Sequence, residues 1–396
     1  MLRIFWKIAP LSSGIFADLS TIRADGGIMF KGGFNRAAIA AFCLALGAGA
    51  AEAQDWQHAQ NNINGPLTLH SQGSFFVGGQ DTTSDALNSG SPSSGTVTTD
   101  QMYVQFQIPE SRGKGKTPVI MIHGCCLSSK SWEETPDGRM GWNEYFVRNG
   151  YATFLPDQVT RARSGFDATI LNEIALGLDG KTAKDIPYIY SIGHEGAYTS
   201  FRFGATNGVP YKGEQFPVAY VEQFYKQMIP DMNDFLGVGQ PPGLYVGPNP
   251  TYNNLSQLAI QLGGAVIIGH SESGFFPENA ALVSTKDIKG MVSIEPGGSC
   301  TTVNPETQPL TAAQIKTLAR IPTLIIFGDN LNGGWLNSYA NCQQYAAAIT
   351  QAGGDITFIH LPDIGIKGNS HMMMLDKNNL QVADVIIQWI EKHVDK

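Results

Sequence analysis

Much of the equipment that common functions require is missing from this sequence. It has no block of Lys or Arg, and its 396 residues carry 26 basic against 34 acidic side chains, a formal net charge of −8. Such a balance offers no electrostatic footprint for a phosphate backbone, so no nucleic acid partner is expected. Metal-ligand spacings are absent: HEGAY at His194 lacks the second histidine of a zinc-protease helix. A phosphate loop is absent as well, because GLDGKT carries Ala175 where that motif places its first glycine. No metal and no cofactor are therefore expected. The apolar run from Ala37 is broken by Gly47 and Gly49, short of the roughly 20 residues a stable membrane span needs. Cysteine is scarce, with five in all.

What is present begins with a targeting pattern. Lys31 and Arg36 precede the apolar run, and Ala51-Glu52-Ala53 follows it. Residues 1–53 read as a secretory signal or leader, cleaved before Gln54. Met29 is an alternative start, since residues 1–28 show no structural pattern. Without the leader, 21 basic and 31 acidic residues remain, a net charge of −10. The expectation is a periplasmic or secreted protein whose single large domain spans 54–396. Cys43 leaves with the leader, and Cys125, Cys126, Cys300 and Cys342 remain. An even number in an oxidising compartment points to disulfides.

Residues 54–100 are rich in Gly, Ser, Thr and Asn and read as loops with short strands. MYVQFQIP alternates like a strand, and TPVIMIHG is a continuous apolar run ending in a glycine turn, the pattern of a buried parallel strand. GWNEYFVRNG reads as a short helix stopped by Gly150, and YATFLPD as the next strand. Regular patterning then lapses over about 161–250, where Gly, Pro and aromatic residues surround one helical piece, VAYVEQFYKQMIPDMNDFL. This stretch reads as a cap insertion over the C-terminal edge of the sheet, with a set of surface loops as the alternative. Afterwards helix and strand alternate from LSQLAIQLG to NNLQVADVIIQWIEKHV. The fold class is α/β, a mainly parallel central sheet with helices on both faces.

The chemistry centres on GGAVIIGHSESGFFPENAAL, residues 263–282. A buried strand meets a sharp Gly-His-Ser turn and runs into a helix, the form of a nucleophile elbow. The usual G-x-S-x-G is imperfect, because its last position is Ser273 and the glycine comes one later, at Gly274. Ser271 sits at the turn, whereas Ser273 falls inside the first helical turn and is the poorer nucleophile. A serine hydroxyl needs a base, a group to orient the base, and donors for the oxyanion. Of the eight histidines, His371 in GIKGNSHMMM lies between the last strand and the last helix, where the base of an α/β-hydrolase belongs. Two acids end strands after the elbow, Glu295 in SIEPGG and Asp329 in IIFGDN. Either keeps the chain order serine, acid, histidine, and Asp329 holds the commoner place. The oxyanion donors should be the backbone N–H groups of Glu272 and Cys125. Cys125 and Cys126 are adjacent, and their Cα atoms, about 3.8 Å apart, fall below the usual disulfide range of about 4.4–6.8 Å. They are either a strained bridge or two reduced, buried side chains. A Cys300–Cys342 bridge would join segments that lie side by side in the expected fold.

The stretch HGCCLSSKSWEETPDGRMGWNEYFVRNGYATFLPDQVTRARS, the elbow GHSESG and the late GNSHMMMLDKNNLQVADVIIQWI together resemble a small family of exported bacterial α/β-hydrolase esterases. That family is marked by adjacent cysteines in the oxyanion loop. The resemblance covers most of 100–165 and 255–396, is weak in the insertion and absent from the leader. It implies Ser271 as nucleophile, His371 as base and Glu295, rather than Asp329, as the acid. It also implies a Cys125–Cys126 disulfide. Glu272 departs from the pattern, which has an amide there, and so bears on substrate preference.

The function these residues predict is a serine carboxylic-ester hydrolase working through an acyl-enzyme. A lactonase, a polyester hydrolase or an acyltransferase would use the same residues, and a non-catalytic binding protein would need one of them missing. The aromatic residues of 161–250 are consistent with a small apolar or aromatic ester, or with a small core of their own.

Overall fold

The apolar runs that follow residue 118 become strands because successive side chains alternate between two faces, both of them covered. In this computed structural model the described residues are 65–110, 115–232, 249–298, 300, 302–303 and 308–395. The leader read at 1–53 and its cleavage site lie outside them. In chain order the strands are β1 (Leu69–Ser84), β2 (Gly95–Pro109), β3 (Val119–Ile122), β4 (Thr153–Pro156), β5 (Ala265–His270), β6 (Ile288–Ile294), β7 (Thr302–Val303), β8 (Gln308–Pro309), β9 (Thr323–Phe327) and β10 (Ile356–His360). Eight of them form the central sheet in the order β1-β2-β4-β3-β5-β6-β9-β10, and β7 and β8 pair apart. From β4 to β10 every pairing is parallel, while β1–β2 and β2–β4 are antiparallel. The chain is an α/β-hydrolase fold.

The period of two explains the two cores. Val119, Met121, Val266, Ile268, Val292, Ile294, Leu324 and Ile326 face one side. Ile120, Ile122, Ile267, Met291, Ile325 and Phe327 face the other. Helices α1 (Trp142–Arg148) and α9 (Asn379–His393) cover the first face through Trp142, Phe146, Ile386 and Ile390. The second is covered by α5 (Pro250–Gln261), α6 (Phe276–Val283), α7 (Ala312–Leu318) and α8 (Gly334–Gln351), through Leu255, Leu258, Ala280, Leu318, Tyr345 and Ile349.

Two expectations need correction. Residues 69–109, read in part as loops, form a long hairpin whose register runs from Leu69 opposite Pro109 to Ser84 opposite Gly95. Its outer strand β1 buries only Val77 and Ser84 fully, so the apolar signal of a strand is faint there. The insertion also holds more helix than expected: α2 (Thr169–Leu176), α3 (His194–Ser200) and α4 (Val221–Lys226). Among the described residues of the predicted long helix, 218–232, only α4 and a preceding 3-10 turn, Val218–Tyr220, are helical. Pro230 disfavours helical backbone in the residue before it, which helps to end α4 early.

The aromatic residues of the insertion pack on one another. Tyr198, Phe201, Phe203, Phe216, Phe224 and Tyr225 are buried in the first core, and the rings of Phe203 and Phe216 stack with centroids 3.7 Å apart. Cys300 and Cys342 form the expected disulfide, joining the segment after β6 to α8. The order of the sheet matters for the site. The chain moves from β3 outward to β4, then crosses to β5 on the other side of β3, so the loops leaving β3, β4 and β5 diverge at a switch point and open a crevice there.

Candidate active site

Every residue singled out for chemistry follows the C-terminal end of a parallel strand. Ser271 directly follows β5 and adopts φ +58°, a left-handed conformation that a non-glycine residue takes only under constraint. This is the strained turn an elbow requires. The displaced glycine has a reason: a Cβ on Gly274 would lie 2.5 Å from Pro296 Cα, so the loop after β6 can pack here only against glycine. Ser273 fills the position usually held by glycine and is fully buried. Its hydroxyl accepts from the His270 N–H at 3.0 Å and lies 2.9 Å from the Ile122 carbonyl oxygen. That hydroxyl belongs to the framework joining β5 to β3.

The candidate acid and base meet below the surface. His371 Nδ1 lies 2.5 Å from Glu295 Oε2, and both side chains are fully buried. Glu295 Oε1 accepts the Gly328 N–H at 2.6 Å and forms an ion pair with Arg202, itself fully buried. Burial alone would raise the Glu295 carboxyl, but the charge of Arg202 and the bond to His371 prevail and bring it down to about 2. Burial pushes His371 below its ordinary value despite the neighbouring carboxylate. Its backbone N–H donates to the Phe201 carbonyl at 2.9 Å, and the Trp335 ring lies 4.1 Å from its own. His270 Nε2 lies 2.9 Å from the His371 carbonyl oxygen, which ties the elbow to the histidine loop. His371 Nε2 is buried and has no hydrogen-bond partner among the described residues. It is the nitrogen that could take a proton.

Asp329 is placed differently. Its carboxylate accepts the backbone N–H groups of Gly368 and Asn369, the latter at 3.3 Å. It fastens the loop that carries His371 and makes no contact with the imidazole among the described hydrogen bonds. Sequence reasoning missed Arg202 and Trp335. Arg202 did leave a signal, because a charged residue between Phe201 and Phe203 in an aromatic segment must find an acid if it is buried.

On the other side of the elbow lies the loop after β3. Cys125 and Cys126 are free thiols, so the disulfide implied by the resemblance is not formed here. The short span between neighbouring Cα atoms opposes such a bridge. Cys126 adopts φ +60° and its carbonyl accepts the Ile229 N–H at 2.9 Å. The Glu272 side chain accepts from Gln158 Nε2 at 3.1 Å and lies 3.4 Å from Arg161 Nη2. Burial and the nearby Asp231 carboxylate hold the Glu272 carboxyl well above its usual range. Asp231 is paired with the fully buried Arg161 at 2.5 Å. The two thiols and Asp231 approach one another within 4.8 Å, but the guanidinium already occupies the carboxylate, so the cluster does not read as a cation site.

A cavity of about 690 Å³ is lined by Thr199, Ser200, Asn332, Trp335, Asn337 and Ser338 together with Gly297 and Gly298, and the Trp335 ring lies between it and the imidazole it contacts. A Cβ on Gly297 would lie 3.4 Å from the Ser271 carbonyl, so the Gly297 side of the cavity borders the elbow.

No protein-family model matches the chain. A solved bacterial esterase is 43% identical to it, the match covering 83% of this chain and 98% of that one with a TM-score of 0.75. A probable secreted lipase from a fungal species (strain ATCC 74256) is 26% identical over 339 residues, 74% of this chain and 86% of that protein.

Proposed function

Since the chain belongs to the family of that bacterial esterase and is a carboxylic-ester hydrolase, we propose that it cleaves esters through an acyl-enzyme on Ser271. Ser271 Oγ attacks the ester carbonyl carbon while His371 Nε2 takes its proton. Glu295 stabilises the imidazolium through Nδ1 and holds the ring in the tautomer that leaves Nε2 free. The oxyanion is met by the backbone N–H groups of Glu272 and Cys125. As the intermediate collapses, the alkoxide leaves with the proton held on Nε2. Water then repeats the cycle on the acyl-enzyme and releases the acid. The observation that carries this reading is the buried His371–Glu295 pair, whose outer nitrogen has no hydrogen-bond partner among the described residues.

The substrate we propose is a small ester bearing a neutral polar group. The described residues that line the cavity offer hydroxyl and amide side chains and one indole face, with no cation among them for an acidic group. Tyr198, Phe201, Phe203, Phe216, Phe224 and Tyr225 are spent on the core, so only the exposed Phe166, Tyr188 and Tyr190 are left to support an aromatic ester. Residues 161–232 act as a cap: Arg202 and Phe201 reach the acid and the base from above the strand ends. Export is supported by the leader pattern, the Cys300–Cys342 disulfide and the secreted relative.

A fluorophosphonate tests the assignment directly. The adduct should map to Ser271 and persist in Ser273→Ala. Ser271→Ala should lose it, along with at least about 10³-fold in kcat. An adduct on Ser273, or full turnover by Ser271→Ala, would remove Ser271 from the mechanism.

A further inference from the structure

The proposed reaction needs an N–H from the β3 loop aimed at the ester oxygen, and the inference drawn here rests on that reading. Side chains that do not react converge on the peptide that carries this donor. His123 Nδ1 lies 2.9 Å from the Gly124 carbonyl oxygen, and Arg161 Nη1 donates to the same oxygen at 3.5 Å. The other ring nitrogen settles the tautomer. The Gln158 backbone N–H donates to His123 Nε2 at 3.1 Å, so Nε2 carries the lone pair and Nδ1 the proton. Burial and the charge of Arg161 push His123 down to about 4, which keeps the ring neutral and in that form. In a trans peptide the carbonyl and the next N–H point in opposite directions. Holding the Gly124 oxygen on one side therefore turns the Cys125 N–H to the other, where it has no hydrogen-bond partner among the described residues. Gly124 is pressed against the elbow, since a Cβ there would lie 2.6 Å from Ser271 Cβ.

The acidic residue of the elbow completes this arrangement. Gln158 Nε2 donates to the His123 carbonyl at 2.7 Å and to Glu272 Oε2 at 3.1 Å. Arg161 spans from the Gly124 oxygen to Glu272 and Asp231. We infer that His123, Gln158, Arg161 and Glu272 are positioning residues, which brace the Gly124–Cys125 peptide so that the Cys125 N–H faces the oxyanion. Glu272 then acts through its neighbours, tying the elbow to the oxyanion loop instead of meeting substrate.

The test compares His123→Leu, His123→Asn and Glu272→Leu with wild type. It reads kcat and KM for 4-nitrophenyl acetate, the fluorophosphonate labelling rate, and the unfolding midpoint. Asparagine Nδ2 can stand where imidazole Nδ1 stands and donate to the Gly124 oxygen, whereas leucine cannot. His123→Leu should lose about 10- to 100-fold in both kcat and labelling rate with KM little changed, and His123→Asn should recover most of it. Glu272→Leu should move the same quantities the same way, by about 3- to 10-fold. Wild-type rates in a folded His123→Leu, or equal losses for leucine and asparagine, would overturn the brace. If His123→Leu does not fold, unchanged rates in Glu272→Leu overturn it. Wild type labelled anywhere but Ser271 would take the inference down with its premise; labelling at Ser271 with undiminished variants would sink the brace alone.

Discussion

Replacing Glu295 by glutamine should disable the base without moving it, and the structure indicates how. Oε1 of Glu295 faces two donors, the Gly328 N–H and Arg202. The glutamine oxygen must take that place, because an amide NH2 there would meet both donors head on. The NH2 is then turned to the position of Oε2, facing His371 Nδ1. Nδ1 becomes an acceptor, so the proton moves to Nε2, and the nitrogen that should receive the Ser271 proton is already protonated. The analogous carboxylate-to-amide change in a serine protease triad costs about 10⁴-fold in kcat, about 5 kcal/mol of transition-state stabilisation. A loss of about 10³- to 10⁴-fold is expected here, with KM nearly unchanged. Stability should fall too. A buried carboxyl brought from its ordinary 4.5 down to about 2 contributes on the order of 3 kcal/mol, present above pH 4.5 and lost as pH falls toward 2. The assay is steady-state hydrolysis of a 4-nitrophenyl ester, well below the unfolding midpoint of each variant. Asp329→Asn is the control, since an amide oxygen can still accept the N–H groups of Gly368 and Asn369, and it should lose less than about tenfold. If Asp329→Asn collapses while Glu295→Gln stays within tenfold of wild type, the argument is refuted.

Two further outcomes are expected. Because burial pushes His371 below its ordinary 6.5 and only the neutral ring accepts a proton, kcat/KM should rise with pH along an acid limb centred below 6.5. A limb centred above that value in a pH–rate profile would contradict the assignment. The Cys300–Cys342 bridge closes a separation of 42 residues and should contribute about 4 kcal/mol. The double serine variant should therefore melt well below wild type, with similar kcat in the cold; equal midpoints by calorimetry would show the bridge to be dispensable.

The regular half of the fold was readable because its signals are local. The strands of the central sheet from Val119 to His360 show as apolar runs, buried except at the half-buried edge strand β10, and the helices that cover them show the longer period. The β1 strand escaped because an edge that buries little leaves a weak pattern. The insertion was misjudged for a related reason: its helices are short, and their aromatic residues gather by long-range packing that no window of sequence displays.

The sequence by itself determined the strained turn at Ser271, the chain order of the candidate serine, acids and histidine, and the loop that holds His371. Each follows from a glycine turn at the end of a parallel strand, which is a property of a few neighbouring residues. The local pattern left the acid open between Glu295 and Asp329 and only the resemblance implied Glu295; the tertiary structure supplies the physical reason that this carboxylate meets the imidazole. Glu295 and Asp329 both end neighbouring strands, β6 and β9, and nothing local separates them. The separation comes from afar. Arg202, in the insertion, balances the buried charge of Glu295 where His371 can reach it, and the backbone of 368–369 takes Asp329 for itself. A buried carboxylate persists only where cations and N–H donors compensate its lost hydration, and those partners are brought together by the fold, not by their order in the chain.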